Sequence, residues 1–486
     1  MLILQRINMG RQYFILSAAA LLLAGCNMAP QYTRPEPPIP DEWPQNEAFQ
    51  NDQLTQAPIA GELAITEFFN DPNLQQIIET ALQNNRDLRL AALNVEQARS
   101  LYGVQRAELF PAVYTTAAAS KHRSSADLTA PGQPRTTELY SVNLGLASWE
   151  IDFFGRIRNM EEQALQEYLA TEQARRSAQI ALVSEVAAAY LTIAANRVNI
   201  NLAASTLQTQ QEVYDLILLQ YQAQLANEID LRRAQTQVDA ARGDVARYTQ
   251  LTTQSRNALN LLAGAPVSDD LLPPDLAGIA PTTEISAGLS SEVLLARPDI
   301  MAAEHQLRGA YAFIGAARAA FFPRIGLTTA LGTASDDLSG LFAAGSGTWT
   351  FAPQIIMPIF DARTWAAHRV SQSVQQIALT QYEKTIQTAF REVADVLAVR
   401  DTVHEQTTAQ QAVVDSANRI YRLAIRRYEN GIDSYLSVLD SQRSLYNAQQ
   451  ALTALQLAAT VNDVRLYAVL GGGTEYLPPP ETPADE

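Results

Sequence analysis

The sequence contains a single cysteine, Cys26, so no disulfide can close within the chain. Histidine is almost as scarce. His122, His305, His368 and His404 are scattered, and no GxSxG, HExxH or Walker pattern accompanies them. No catalytic residue, metal ligand or cofactor site is assigned, and an enzyme is not expected. The six methionines are equally dispersed and read as packing residues, not as a metal pathway. Positive charge is in short supply. With 35 Lys and Arg against 51 Asp and Glu, the net charge of −16 disfavours nucleic acid and anionic membrane surfaces as partners. Aromatic residues are only 7% of the chain while Ala, Gln and Leu abound, a composition that suits long helices better than a globular enzyme core.

What is present begins with an address. Arg6 and Arg11 precede an apolar run at residues 13–23, too short to span a membrane, and then Leu23-Ala24-Gly25-Cys26. Residues 1–25 read as a signal peptide, with Met9 an alternative start. Leu-Ala-Gly-Cys resembles a bacterial lipobox, which makes Cys26 the acylated first residue, carrying acyl chains such as palmitate. The next residue is Asn27, not aspartate, and the resemblance to bacterial lipoproteins then implies outer-membrane sorting. Two or more acyl chains anchor stably where one is marginal.

The rest of the chain is written twice. Tyr221, Leu225, Gln235 and Gly264 recur 207 residues later as Tyr428, Ile432, Gln442 and Gly471. Earlier, Gly103 and Phe110-Pro111 recur 212 residues later as Gly315 and Phe322-Pro323. The five-residue difference falls in the second copy between residues 323 and 356, as a surface loop tolerates. The expected organisation is a lipidated proline-rich tether at 26–70, a first repeat with its linker at 71–281, a second at 282–473 and a tail at 474–486.

Asp71-Pro72 opens a helical pattern to about residue 109, with a break near Asn84-Asn85. Tyr140, Val142, Leu144 and Leu146 then alternate with small or polar residues, a strand pattern. Its phase slips at Ser148 so that Trp149, Ile151 and Phe153 continue one step out, which predicts a bulge. Ile325, Leu327 and Leu331, then Trp349, Phe351 and Ile355, predict a second pair of strands. The hairpins are placed at about 111–153 and 323–360. Four strands cannot close a membrane barrel, which needs at least about eight. Either they form an ordinary soluble sheet, or several chains pool them; apolar faces carrying Trp149 and Trp349 favour pooling. Between the hairpins the period is helical. Val183, Val186, Tyr190, Ile193, Arg197, Ile200, Ala204 and Leu207 step by three and four, as do Val414, Ala417, Tyr421, Ala424 and Tyr428, the spacing of a coiled-coil seam. Each long helix of some 65 residues spans roughly 100 Å, which predicts a rod. Gly264 and Gly471 read as helix stops.

Three further motifs are Ala296-Arg297-Pro298-Asp299-Ile300, the run from Ile314-Gly315-Ala316 to Phe321-Phe322-Pro323, and Tyr435-Leu436-Ser437-Val438-Leu439-Asp440 before Gln442-Arg443. With the lipobox and the tandem helix–hairpin–helix repeats, they resemble the TolC-type outer-membrane efflux channels, in particular the OprM/NodT-like lipoprotein branch. The resemblance implies a mainly α fold with a β-barrel part: a homotrimer pooling four strands per chain into a 12-stranded transmembrane barrel, continued by a long periplasmic α-helical coiled-coil barrel. It implies the exit duct of a tripartite pump that exports drugs or other small toxic compounds, with a periplasmic adaptor (membrane fusion) protein and an inner-membrane resistance-nodulation-division transporter, and no cofactor beyond the lipid on Cys26.

It further implies that the helix turns meet the adaptor, through Gln224, Leu225 and Asn227 in the first turn and Gly431 and Ile432 in the second. Leu436 and Asp440, one helical turn apart, map onto the apolar and acidic rings of a periplasmic gate. Asp230, Asp433 and Ser437 are its neighbours. Three departures matter: Gln224 replaces a glycine, Ser437 stands where some relatives carry an acid, and Asp433 replaces a basic residue, so no salt-bridge latch is assumed. The alternatives within the class are ducts for metal efflux or type I secretion. A lipid-anchored periplasmic coiled-coil scaffold is the rival from another class.

Overall fold

The computed structural model describes residues 27–41, 43, 60–279, 285 and 291–473. The signal peptide, Cys26 and the tail at 474–486 lie outside the described residues. The elements, in order, are α1 (Ile65–Phe68), α2 (Pro72–Asn84), α3 (Arg86–Ala107), β1 (Val113–Arg123), β2 (Thr136–Ile151), α4 (Arg156–Gln222), α5 (Glu228–Ala263), α6 (Pro298–Ala319), β3 (Arg324–Ser335), β4 (Gly347–Ile356), α7 (Ala362–Glu429) and α8 (Tyr435–Val469). They group into two compact units. One comprises Asn94–Thr171, Ala302–Tyr382 and the N-terminal residues through Glu36; the other comprises Pro37–Leu93, Glu172–Met301 and Glu383–Glu486.

The first unit holds a four-stranded antiparallel sheet in the order β1-β2-β3-β4. Its register sorts the side chains. Val113 lies opposite Leu146, Leu144 opposite Leu331, and Leu331 opposite Trp349, so these residues share one apolar face. The other face is small or polar, with Asn143 opposite Gly332 and Ala330 opposite Thr350. The predicted phase slip is a β-bulge: the β2–β3 register shifts between Leu146 and Trp149, and Ser148 takes a left-handed φ of 52°. The extra residue returns Trp149 and Ile151 to the apolar face, opposite Leu327 and Ile325. Among the described residues nothing covers that face, where Trp349 is 75% exposed and Ile355 67%. Glycine at 332 lets β2 and β3 approach, because a Cβ there meets Val142 O at 2.2 Å.

The sheet leads into α4 through an ion-paired junction. Asp152 accepts the backbone N–H groups of Arg156 and Arg158 at 2.8 and 2.9 Å, satisfying otherwise orphaned donors of the first turn. Arg156 also pairs with Glu150 at 2.8 Å.

In the second unit the expected break divides α2 from α3 at Asn85, which is extended. Asn85 is buried and works at both ends: its Oδ1 accepts from Leu88 N at 2.8 Å, and its Nδ2 donates to Leu262 O, in the last turn of α5, at 2.9 Å. Arg297 occupies the same place in the second repeat and donates to Val469 O, in the last turn of α8, at 2.9 Å. It adds Asp299 at 2.7 Å and Glu392 at 2.9 Å. The Ala-Arg-Pro-Asp-Ile motif is thus a clamp that caps the returning helix. Gly264 stops α5 as expected, with φ 67° and its N–H donated to Leu261 O.

One expectation needs correction. Val183, Val186, Tyr190 and Ile193 are buried along the predicted seam, but past Arg197 the buried line falls on Ala203, Gln210 and Ile217, while Ala204 is exposed. Those three buried positions recur every seven residues, one place earlier than the predicted phase. Within the segment bounded as the tether, α1 forms at Ile65–Phe68. Residues 27–41 have no regular structure, yet α1 packs Phe68 flat against Tyr467 with ring centres 4.2 Å apart, and Tyr467 donates to Leu63 O at 2.8 Å. Ile65, Phe68 and Phe69 bury their apolar area there, as Trp43 does against the Phe390 ring 5.0 Å away.

Candidate functional site

The two helix turns of the second unit are built alike. Helix α4 ends with Leu225 N donating to Gln220 O at 2.8 Å and Gln224 N to Tyr221 O at 3.0 Å. Helix α7 ends with Ile432 N donating to Arg427 O and Gly431 N to Tyr428 O, both at 2.9 Å. This paired six-to-one and five-to-two bonding is a Schellman ending, and it requires a left-handed residue at the penultimate place. Gly431 has φ 71°, and Gln224 has φ 60° at the equivalent place. The glutamine that departs from the resembled pattern therefore keeps the glycine geometry at a steric cost of roughly 1 kcal/mol. Gln224→Gly is expected to stabilise the first turn by about that amount and Gly431→Ala to destabilise the second by about 1 kcal/mol, read as opposite shifts in thermal unfolding midpoint. Equal and small shifts at both positions count against strain at Gln224.

The side chains after these turns project outward. Leu225 is 81% exposed and Ile432 61%, instead of packing back on the preceding helix as such endings usually do. Asn227 caps α5 by accepting from Asp230 N at 2.9 Å; Ser434, its equivalent, makes no side-chain cap on α8. Beneath the turns, Ile217, Leu231 and Ala234 form a core against which Val213, Tyr214, Ala226 and Tyr435 pack. Tyr435 also meets Tyr428 with ring centres 5.3 Å apart, so one apolar cluster joins both turns. Burial pushes the Tyr435 hydroxyl's pKa upward, reinforced by Tyr421 and Tyr428.

Helix α8 divides its faces sharply. Val438, Leu439, Ser441 and Gln442 are buried, whereas Leu436, Ser437 and Asp440 are exposed on the opposite side. Leu436 and Asp440 share a face. Asp440 is paired with Arg443 at 2.6 Å one turn on, a partner the sequence reading did not assign. Asp433 also has an unassigned partner: Arg427 holds it with two bonds of 2.6 and 3.1 Å across its own turn, and holds its carboxyl below the ordinary pKa. This contact is present at neutral pH and is lost as acid protonates Asp433. Asp230 lies 3.9 Å from Arg233, within α5. Below them, Gln210 of α4 donates to Gln442 of α8 at 2.7 Å, a buried amide pair in an otherwise apolar seam. Gln210 lies one place off the predicted seam, so the spacing did not announce this pair. Among the described residues no group of His, Cys, Asp and Glu is arranged to hold a metal ion.

Comparison with known proteins gives this arrangement a context. The family described as outer membrane efflux protein matches residues 77–265 and 289–472. The chain is 46% identical to the toluene efflux pump outer membrane protein TtgC of Pseudomonas putida over 466 residues, 96% of each sequence. Among solved structures, a membrane protein from Pseudomonas aeruginosa aligns with a TM-score of 0.85 at 38% identity, covering 92% of this chain and all of that one. The open state of the Neisseria gonorrhoeae MtrE outer membrane channel aligns at 0.84 and 37%, covering 93% and 99%.

Proposed function

This chain belongs to the outer membrane efflux protein family, and from that premise we propose that it is the outer-membrane exit duct of a tripartite efflux pump. The observation that carries the reading is the sheet. Its apolar face is uncovered, and β1 and β4 are edge strands with one unpaired side each. In hydrocarbon every backbone N–H and C=O must be bonded, and an open sheet cannot satisfy its edges. Pairing β4 of one copy with β1 of the next removes them, and three copies give the 12 strands expected of a homotrimer. The apolar face then meets lipid and the small, polar face lines the bore.

The acyl anchor on Cys26 supplements this barrel. The exposed Leu225 and Ile432 at the helix turns are the adaptor contacts, and a resistance-nodulation-division transporter completes the pump. Leu436 and Asp440, with Asp230, Asp433 and Ser437 nearby, form the periplasmic gate. A single exposed residue near a threefold axis becomes a ring, so a small shift of α8 is repeated at all three places around the aperture. The cargo is a class of small, apolar or amphipathic toxic compounds, as the name of the toluene-pump relative suggests; the pump, not the duct, selects among them.

Planar-bilayer recording tests the reading. The purified protein is expected to give small, seldom-open conductances. A correctly folded sample with no conductance, released from membranes by Cys26→Ser, would point to a lipid-anchored scaffold.

A further inference from the structure

Residues 27–36 lie in the first unit as an extended strap on α6 and the first turn of α4, and their contacts are specific. Glu304 of α6 has a side chain only 5% exposed and accepts three partners: Tyr32 Oη at 3.1 Å, Arg34 at 2.5 Å and Arg308 at 2.5 Å. Burial pushes its carboxyl pKa up, but the two arginines outweigh burial and hold it below the ordinary range. Without the strap, this buried carboxylate keeps one of its three partners. Tyr32 packs edge-on against Tyr311 at 5.5 Å, under the Arg308 guanidinium. Further along, a Cβ on Gly315 would meet Ala29 Cα at 2.8 Å, so glycine there lets the strap lie directly on the helix. Gly103, its equivalent in the first repeat, has nothing within 4 Å. One strap exists, and one of the two repeat helices is shaped to receive it. Finally, Asn27 accepts from Asn159 Nδ2 at 2.9 Å, only a few residues past the end of β2.

We propose that α6 carries a built groove for the chain's own N-terminal strap, and that the groove fixes the depth at which the acyl anchor enters the membrane relative to the sheet. The strap begins at Asn27, at the end of the sheet where β2 and β4 finish and β1 and β3 start. Exposed Phe110, Met357, Ile359, Phe360 and Trp365 cluster in sequence around that end. Aromatic residues such as Phe110, Phe360 and Trp365 form the girdles at the membrane–water boundary of barrels. A lipid on the residue before Asn27 is delivered to the same level, so anchor and barrel enter one leaflet without competing for depth. The depth role rests on the lipid-anchor reading proposed above; occupancy of the groove does not.

Amide hydrogen exchange across residues 27–36 of the purified full-length protein tests occupancy. Arg34→Glu is expected to speed exchange there at least tenfold, Arg34→Lys much less, and Arg34→Glu with Glu304→Arg to restore most of the protection. Unchanged exchange in Arg34→Glu overturns the groove. Assembly tests depth. Arg34→Glu is expected to lower the yield of outer-membrane trimer severalfold in the acylated protein, and not in Cys26→Ser exported behind a non-lipoprotein signal, where there is no anchor to place. An equal loss in both backgrounds makes the contact merely structural and overturns the depth role. The mass of the N-terminal peptide reports separately on acylation, so an unmodified Cys26 removes the anchor reading and the depth role while leaving the groove to the exchange result.

Discussion

Arg297→Ala is expected to destabilise the helical unit by about 2–3 kcal/mol, the scale of hydrogen bonds to charged groups, since Asp299 and Glu392 keep enough contact with water to be partly resolvated. The side chain is 11% exposed and serves three elements at once: Asp299 in the first turn of α6, Glu392 on α7 and the Val469 carbonyl closing α8. Its removal leaves two carboxylates short of their partner and one carbonyl without a donor. Lysine cannot replace it, since a single ammonium has no planar fork to engage Asp299 twice while reaching a carbonyl. The repeat supplies an internal control. Asn85→Ala removes the equivalent bond to Leu262 O and a helix cap but no charge, so a smaller loss of about 1–2 kcal/mol is expected. Thermal unfolding of both variants checks the order; Arg297→Ala no worse than Asn85→Ala contradicts the clamp.

Asp440→Ala is expected to raise the mean bilayer current about tenfold, the scale on which a modest change in relative stability shifts a mostly closed population. Arg443 strengthens the expectation. Each carboxylate in the proposed ring carries its own arginine at 2.6 Å, so the ring pair is close to neutral and three copies can approach. Deleting the carboxylate leaves three guanidinium groups facing a narrow axis, and like charges at close range repel. Asp440→Ala with Arg443→Ala is therefore expected to conduct less than Asp440→Ala alone. If both variants conduct as the unmodified channel does, the aperture lies elsewhere; if the double variant conducts more, the ring is held by attraction across the axis.

The sequence showed much of this because its signals were local. A parity slip at Ser148 marks a bulge, since side chains alternate with period two and one extra residue reverses them. Asn84-Asn85 and Gly264 interrupt helical periodicity where the helices do break or stop. The clamps were hidden for the opposite reason. Nothing in the spacing of Arg297 points to Val469, or of Arg34 to Glu304, because those pairings depend on how distant segments pack. Gln224 left the first turn open for another reason: a glutamine does not announce a left-handed residue, and the backbone bonds to Gln220 and Tyr221 hold it there. At the proposed gate, spacing placed Leu436 and Asp440 on one face correctly, whereas the pairing of Asp440 with Arg443 depends on rotamers that spacing does not fix.

The two bare edges of the sheet also bear on the time before assembly. A lone chain leaving the translocation machinery carries an uncovered greasy surface flanked by strands of 11 and 10 residues that will pair with any extended backbone they meet. If strands are pooled between copies as proposed, the partner is another copy of the chain, and the yield of channel depends on how often sister chains collide before a stray strand does. On that reading, overproduction of the single chain is expected to favour aggregates over pores.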